Sequence, residues 1–499
     1  MTKKNALLII IGALILAILI GATILIKTMF GEQEKKNPTV DKNVTPSYDR
    51  DGTEIYSVNS FVYEGLTIKN SNSEYTIRKK DSTYFFEGKE NVPLLPATAK
   101  ALFECVLSLK NESTVTMNAE RMSDYGLESP QATITVLKNK GENDVLLLGD
   151  KTPDGGGYYL CKNGEKAVYV VSTYFGDRVL KTRTDFYVTD LSINFDTANL
   201  QRLEISRTSG FDLLLRYGTD AELASGKYES TMLLEKPFAV GANNDNARAA
   251  VSDISHLEAV KVICDEITDE NLEKFGFKDP VKVVVEANVD ISQSSAGDYL
   301  NDIYDQTVTS EKLVRVSSTY YIGSTDGRDT YVMYGDRKVV YAVDKDVFAF
   351  LDKDIDYYCQ SLVSIKYLKD LKEINISFDG KTYTVKTWTE TDSNKNTIYK
   401  ASYQNAPREG TDIQALYKLI VGVVQYGLAE SPGTDPLLKI TLKGNNGSTQ
   451  LIEFLPYEGG LYAFCRTDGN GTFRVLTSQL DKIKEATLQF VNGKTVTIE

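Results

Sequence analysis

One histidine, His256, and one tryptophan, Trp388, stand in 499 residues. A single imidazole removes metal sites built from several histidines and makes any His-based triad depend on that one residue. The five cysteines (Cys105, Cys161, Cys264, Cys359, Cys465) form no CxxC pair and are odd in number. Exported chains stapled by disulfides tend to have even counts, so small buried apolar side chains are the better reading. No GxSxG elbow, HExxH or dinucleotide fingerprint occurs, which weakens the common enzyme classes. Basic charge is short as well: 56 Lys and Arg face 69 Asp and Glu, a net charge of −13. Residues 1–27 hold three lysines and no acid, so the remainder carries −16. An acidic body argues against nucleic acid and against bulk attraction to anionic lipid or wall polymers, leaving room for a local basic pocket.

Long apolar runs are limited to one. Ala6 to Ile26, "ALLIIIGALILAILIGATILI", holds 21 residues without a charge. As a helix it would be about 31 Å long, close to the ~30 Å hydrocarbon core. Lys3 and Lys4 precede it, so the positive-inside rule leaves the short tail cytoplasmic and sends residues 31–499 outside, although Lys27, Lys35 and Lys36 follow the run. A cleaved signal peptide would have a shorter apolar region and a small-residue cleavage site, and "KTMFGEQ" offers none. The expectation is an uncleaved single-pass anchor at a cell membrane. Residues 31–57 are polar, contain two prolines and show no apolar periodicity, so they read as a linker.

What the remaining chain has in quantity is repetition. "YGLESP" (Tyr125 to Pro130) returns as "FGFKDP" (Phe275 to Pro280) and "YGLAESP" (Tyr426 to Pro432). Downstream of each comes a pair of alternating runs around a turn: "GGYYLCKNGEKAVYVV", "RDTYVMYGDRKVVYAV" and "GGLYAFCRTDGNGTFRV". Alternation with a Gly-bearing turn predicts a hairpin. This alignment sets Cys161, Met333 and Cys465 at one position. Ser172, Asp344 and Thr477 then stand as N-cap candidates for short helices. Another hairpin opens each copy: "GLTIKNSNSEYTIRKK", "LQRLEISRTSGFDLLLRY" and "LKEINISFDGKTYTVKTW". Asn492-Gly493 near the end reads as a further hairpin turn.

Helical spacing appears before each glycine motif, from Ala97, from Asn246 as far as Ile267, and from Thr411, where Thr411 and Gln414 have capping-box spacing. The third copy lacks about a dozen residues between helix start and glycine. Gly126, Gly276 and Gly427 therefore read as structural helix stops of the Schellman type. The apolar pairs this motif requires would be Met122 with Leu127, Leu272 with Phe277, and Val423 with Leu428. Pro130, Pro280 and Pro432 follow where the helix must not resume.

Runs of strand and helix without βαβ alternation predict an α+β fold: a transmembrane helix, then three tandem copies of an antiparallel sheet-plus-helix module. The expected divisions are 1–30 for tail and anchor, 31–57 for the linker, and 58–200, 201–370 and 371–499 for the modules.

This pattern resembles the domain-of-unknown-function family 4340: an N-terminal anchor, an acidic exported body, and repeated "[YF]G[LF]…P" followed by strand, Gly and a "YY/TY…VY.V" hairpin. Its members are often encoded beside a gliding-associated ABC transport system with a permease and an auxiliary protein. The resemblance implies an extracytoplasmic accessory or binding role at such a transporter. It implies no catalytic residues.

The remaining candidates for chemistry have plainer readings. His256 sits in a predicted helix and its counterparts are not histidine. "GDKTPDGGGYY" (Gly149 to Tyr159) lacks the phosphate-loop order and joins two strands, so turn chemistry explains it. The acidic run Asp344 to Tyr358 reads as a solvated helix face. An inserted loop carries Asp290, Asp298, Asn301, Asp302 and Asp305 but lacks the EF-hand order. No catalytic, cofactor or metal residue is assigned, and a non-enzymatic role is expected. The competing roles are a cell-envelope scaffold or adhesion protein, then a carboxylate-dependent envelope hydrolase.

Overall fold

The computed structural model describes residues 52–59, 62–224, 230–290, 307–308, 313–364, 366–429, 433–457 and 459–497. The expected anchor, residues 6–26, and the inserted loop beyond Asp290 lie outside the described residues. Among those described, no helix is long and apolar enough to cross a membrane.

The fold is mixed α+β, with three large sheets whose strand pairs are all antiparallel. The three sheets share one strand order. A central strand begins each (Tyr63–Asn70, Leu200–Ser206, Leu371–Phe378). It turns back as a hairpin into a second strand (Glu74–Lys80, Leu213–Tyr217, Lys381–Thr391), which leads to short strands at one edge.

On the other side of the central strand follow two long strands. They are Ala132–Lys138 and Asp144–Lys151, Val281–Asp290 and Leu313–Asp326, and Leu438–Gly444 and Thr449–Pro456. The predicted downstream hairpin comes next: Gly157–Lys162 with Val168–Ser172, Asp329–Tyr334 with Val340–Asp344, and Tyr462–Thr467 with Asn470–Leu476. The far edge is closed by a short strand from earlier in the chain: Ser113–Thr116, Lys261–Cys264 and Gln425–Leu428. Even the irregularities repeat. The central strand slips register between Tyr63 and Gly65, between Leu200 and Arg202, and between Leu371 and Glu373.

Alternation along these strands sends one set of side chains into a common core. One contiguous apolar cluster runs through all three sheets, so their cores merge although their hydrogen-bond ladders do not. On the opposite face each sheet has a small satellite cluster: Leu127 with Cys161, Phe275 with Phe277, and Leu455 with Phe464.

The glycines of the repeated motif sit between these layers. Gly126 (φ 68°) ends the one-turn 3₁₀ helix Met122–Tyr125. Leu127 N–H donates to Met122 O at 3.1 Å, and Gly126 N–H to Ser123 O at 3.1 Å. Gly276 (φ 77°) follows helix Asp269–Lys274 with the same pair of bonds, Phe277 to Leu272 at 2.7 Å and Gly276 to Glu273 at 3.2 Å. These are the crossed bonds of the Schellman arrangement.

Gly427 differs, and its reading as a helix stop is corrected. The helix before it, Gly410–Val421, has already ended at Gly422. Gly427 (φ 105°) lies within edge strand Gln425–Leu428, where the pairing with Asn470–Leu476 shifts register, so it is a bulge glycine. Val423 is buried while Leu428 is 38% exposed, so the apolar contact a stop requires is absent. The dozen residues missing from this copy are the edge-strand-to-glycine connection that holds the short helix in the other two.

Other local expectations also change. The long helix from Asn246 is three elements: helix Asn244–Ala250, a 3₁₀ turn Ile254–His256 and strand Lys261–Cys264. Ser172 and Asp344 cap as expected, accepting from Phe175 N–H and Asp346 N–H. Thr477 is the first helical residue and donates to Gly460 O and Leu461 O. Thr411 makes no cap, which falls at Glu409. Asn492-Gly493 is no hairpin. Gly493 (φ 69°) terminates helix Thr477–Val491, with Lys494 N–H on Gln489 O at 2.9 Å.

Candidate functional site

A cleft of about 670 Å³ lies between the first and second sheets. One wall is the edge strand Thr83–Phe86 with the loop after it, carrying Tyr84, Glu90 and Asn91. The other wall is strand Leu313–Asp326 at Ser317–Thr319, beside the turn that carries Arg337. That turn is made by left-handed Gly335 and Lys338, and Gly335 N–H bonds back to Thr319 O at 2.8 Å. The consequence is an arginine only 5% exposed. Its guanidinium lies 4.7 Å from the centroid of the Tyr334 ring and donates to Asp190 O at 3.4 Å. Tyr334 OH and Ser318 Oγ are 2.7 Å apart, and Tyr320 OH donates to Leu191 O across the junction.

A polar clasp holds the two sheets at this spacing. Asp265 follows the second sheet's edge strand and is buried. Arg183 pairs with it as an ion pair, Nε 2.7 Å from Asp265 Oδ2, and Tyr187 OH donates to the same oxygen. Lys89 Nζ reaches Asp265 O at 2.5 Å and Lys338 O at 3.2 Å, while Asn91 Nδ2 donates to Asp336 O at 3.1 Å. Burial pushes the Lys89 ammonium below its ordinary range. Burial, then the bond to Asp265, pushes the Tyr187 phenol up. The charge of Asp265 is thus met by Arg183 within a partly buried junction.

The residues singled out from sequence lie elsewhere. His256 is exposed, with Nδ1 2.8 Å from Ser255 Oγ. In "GDKTPDGGGYY" the turn is closed by Thr152 N–H on Gly157 O, and Asp154 Oδ1 accepts from Thr152 Oγ1 and Gly156 N–H. Asp346, Asp352 and Asp354 are exposed, and Asp344 is a cap. Cys105, Cys161, Cys359 and Cys465 are buried free thiols, and Cys264 is half-buried. Burial pushes Cys161 up to about 11 and Cys359 up to about 12. The ladders place Cys161 and Met333 at one position on the satellite face. Cys465 corresponds instead to Leu160 and Val332 in the main core, one residue and therefore one face away. Among the described residues no group of three or more His, Cys, Asp or Glu is placed to hold a metal ion.

Sequence reasoning missed Lys89, Arg183, Asp265 and Arg337. One signal was available for Arg337. Its hairpin turn, "YGDRK", departs from "KNGEK" and "TDGNG" in the other copies by placing arginine where a solvated turn needs none.

The chemistry on offer is recognition. Hydroxyls, an amide and one guanidinium converge on a cleft with partly apolar walls, the composition of a binding site.

Comparison with known proteins identifies residues 86–280 as matching the family described as Domain of unknown function (DUF4340), so the resemblance read from the motif is real over this stretch. The match begins at the last residue of the first sheet's edge strand and stops just before strand Val281–Asp290. It therefore crosses from one sheet to the next and takes in Lys89, Asn91, Arg183, Tyr187 and Asp265 of the clasp, but not the acceptor carbonyls of Asp336 and Lys338, together with Gly126 and Gly276. No curated protein and no solved structure matches the chain.

Proposed function

We propose that this chain is a single-pass membrane protein, anchored by residues 6–26. Its three-copy α+β body works outside the cytoplasm as an accessory or binding subunit of an ABC-type, gliding-associated transport system. The observation that carries the binding role is the cleft between the first two sheets, held open by a buried clasp and lined for recognition. The anchor rests on the uncharged 21-residue run. The transport association rests on the family resemblance, whose matched stretch contains Asp265 and the side chains that meet it.

The test is photo-crosslinking in intact cells from a probe at Asn91 or Asp336, on opposite walls of the cleft. Recovery of a permease or auxiliary subunit supports the reading. Recovery of none, with transport normal after deletion of the chain and surface architecture altered, favours the envelope scaffold instead. A chain wholly released by high-salt washing would overturn the anchor.

A further inference from the structure

Every sheet carries a cation at one corresponding position of its second strand. The shared register irregularity aligns Gly65, Arg202 and Glu373, and their partners across the hairpin are Arg78, Arg216 and Lys386. In the first sheet Arg78 is held by Glu87 at 2.9 Å and Glu64 at 3.5 Å. In the second Arg216 is held by Glu222 at 2.8 Å and Glu235 at 2.5 Å. Lys386 makes no ion pair among the described residues. Glu373 opposite it is engaged by Lys443 at 2.7 Å.

Two residues further along the same face stands Trp388, the chain's one tryptophan, 42% exposed. Its indole is fixed rather than loose. Nε1 donates to Glu390 Oε1 at 3.2 Å, and Lys400, across the ladder from Trp388, meets Glu390 at 3.8 Å. The corresponding residues in the other sheets are Lys80 and Gly218, so the fold does not call for an aromatic ring here. A hollow of about 360 Å³ opens on the far side of Lys386 from Trp388, lined by Lys386 with Thr384, Ser402, Tyr403, Gln404 and Asn405. Left-handed Gln404 and Asn405 make the tight turn that presents those two amides.

We propose that this face of the third sheet binds an acidic saccharide. The C–H face of a pyranose ring carries weak positive charge and complements the negative face of the indole. Hydroxyls and amides beside Lys386 satisfy sugar hydroxyls, and the Lys386 ammonium, which makes no ion pair among the described residues, meets the carboxylate. Lys386 and Trp388 are roughly 7 Å apart along the strand, so one sugar unit and its substituent reach both. Single-stranded nucleic acid would need a continuous cationic groove, whereas Glu373 and Glu390 flank this face and leave room for a carboxylate only beside Lys386. A protein hot spot would set the tryptophan in an apolar centre, whereas here Ile398 is the one apolar residue beside it on this face, among Lys386, Glu390 and Lys400.

The lone tryptophan makes the test direct, because emission excited selectively at the indole's red edge, where the 30 tyrosines do not absorb, reports this site alone. The full chain in detergent is titrated with tetragalacturonate, neutral maltotetraose and tetraglutamate, followed by fluorescence and calorimetry. The expected result is a saturable emission change with tetragalacturonate, at least about tenfold weaker with maltotetraose and with tetraglutamate. Lys386→Gln should remove the preference for the acidic sugar. Trp388→Ala should abolish binding, and Trp388→Phe, which keeps an aromatic face, should retain part of it. No saturable response, equal binding of either control, or unchanged affinity in Lys386→Gln and Trp388→Ala would each overturn the proposal. Binding by purified protein is independent of membrane topology, so its failure leaves the anchored accessory reading standing.

Discussion

Gly323→Ala isolates the close approach that seats the second sheet's short helix. Gly323 lies in strand Leu313–Asp326, and a Cβ there would fall 2.0 Å from the carbonyl oxygen of Phe275, immediately before the left-handed Gly276. An ordinary C···O contact is about 3.3 Å, so helix and strand would have to separate by roughly 1.3 Å. That movement breaks the bond from Ser324 N–H to Phe275 O, now 2.8 Å. Losing one backbone bond costs about 1 kcal/mol, and overpacking of this kind costs about 1–3 kcal/mol. The total, ~2–4 kcal/mol, is local, because the satellite cluster of Phe275 and Phe277 is separate from the main core. Global denaturation of a merged three-sheet body is a poor reporter, so amide hydrogen exchange is the assay. Ser324 and Phe277 should exchange roughly 30- to 1000-fold faster, while amides of the third sheet stay unchanged. Gly276→Ala adds left-handed strain to a clash with the same backbone. The double variant should therefore cost less than the sum of the two, since either change alone displaces the helix. Unchanged exchange at Ser324 in Gly323→Ala would refute the reasoning.

Three further outcomes follow from the same geometry. Asp265→Ala leaves Arg183 facing a partly buried junction without its carboxylate; because Arg183 keeps some exposure, the cost should be about 2–3 kcal/mol, read as faster exchange across the first junction, and a near-neutral effect would refute the clasp. Hydrogen bonds from Arg216, then from Thr219 N–H, hold the Glu222 carboxyl at about 2, below the usual 4.5. A depressed folded pKa means this stabilisation is present above pH 4.5 and is lost as pH falls toward 2. Carbon-detected titration of Glu222 should give that low midpoint, and Arg216→Gln should return it to the ordinary range. Among the thiols, half-buried Cys264 should react with a thiol reagent at pH 8 in the native protein, whereas the other four should need unfolding; modification of Cys465, in the main core, would contradict its placement.

Alternation made the hairpins legible, because a strand with one buried face must repeat every second residue. Glycine was legible as a residue type and ambiguous as a role. A Schellman stop and a β-bulge both require a left-handed backbone, and Asn-Gly serves a hairpin turn as readily as a helix end. Gly427 and Gly493 therefore exchanged roles: the expected stop is a bulge, and the expected turn is a stop. Hydrogen-bond partners decide such cases, and those of Gly427 lie on a strand nearly fifty residues later. "VKVIC" had helical spacing with the residues before it, but its β-branched side chains complete a sheet edge beside Val340 to Ala342. The clasp was illegible for a similar reason. Tyr187 and Lys89 meet Asp265 across 78 and 176 residues.

The copies teach most where they diverge. Gly149 and Gly323 hold corresponding positions, each under the carbonyl that precedes a helix-stop glycine, Tyr125 O in one case and Phe275 O in the other. The third sheet has Leu455 there, buried against Phe464. Among the described residues no helix-stop carbonyl packs over this position, so the steric demand for glycine vanishes and a large side chain fills the space. Leu455 thus follows from the same packing rule that fixes the two glycines. Arg337 and Trp388 follow from no such rule. The first copy folds with exposed Glu165 in place of one, and the other copies with Lys80 and Gly218 in place of the other. Both residues also fall outside the stretch that matches the family. Departures that packing explains belong to the scaffold, and those it leaves unexplained are where this chain's own recognition should be sought.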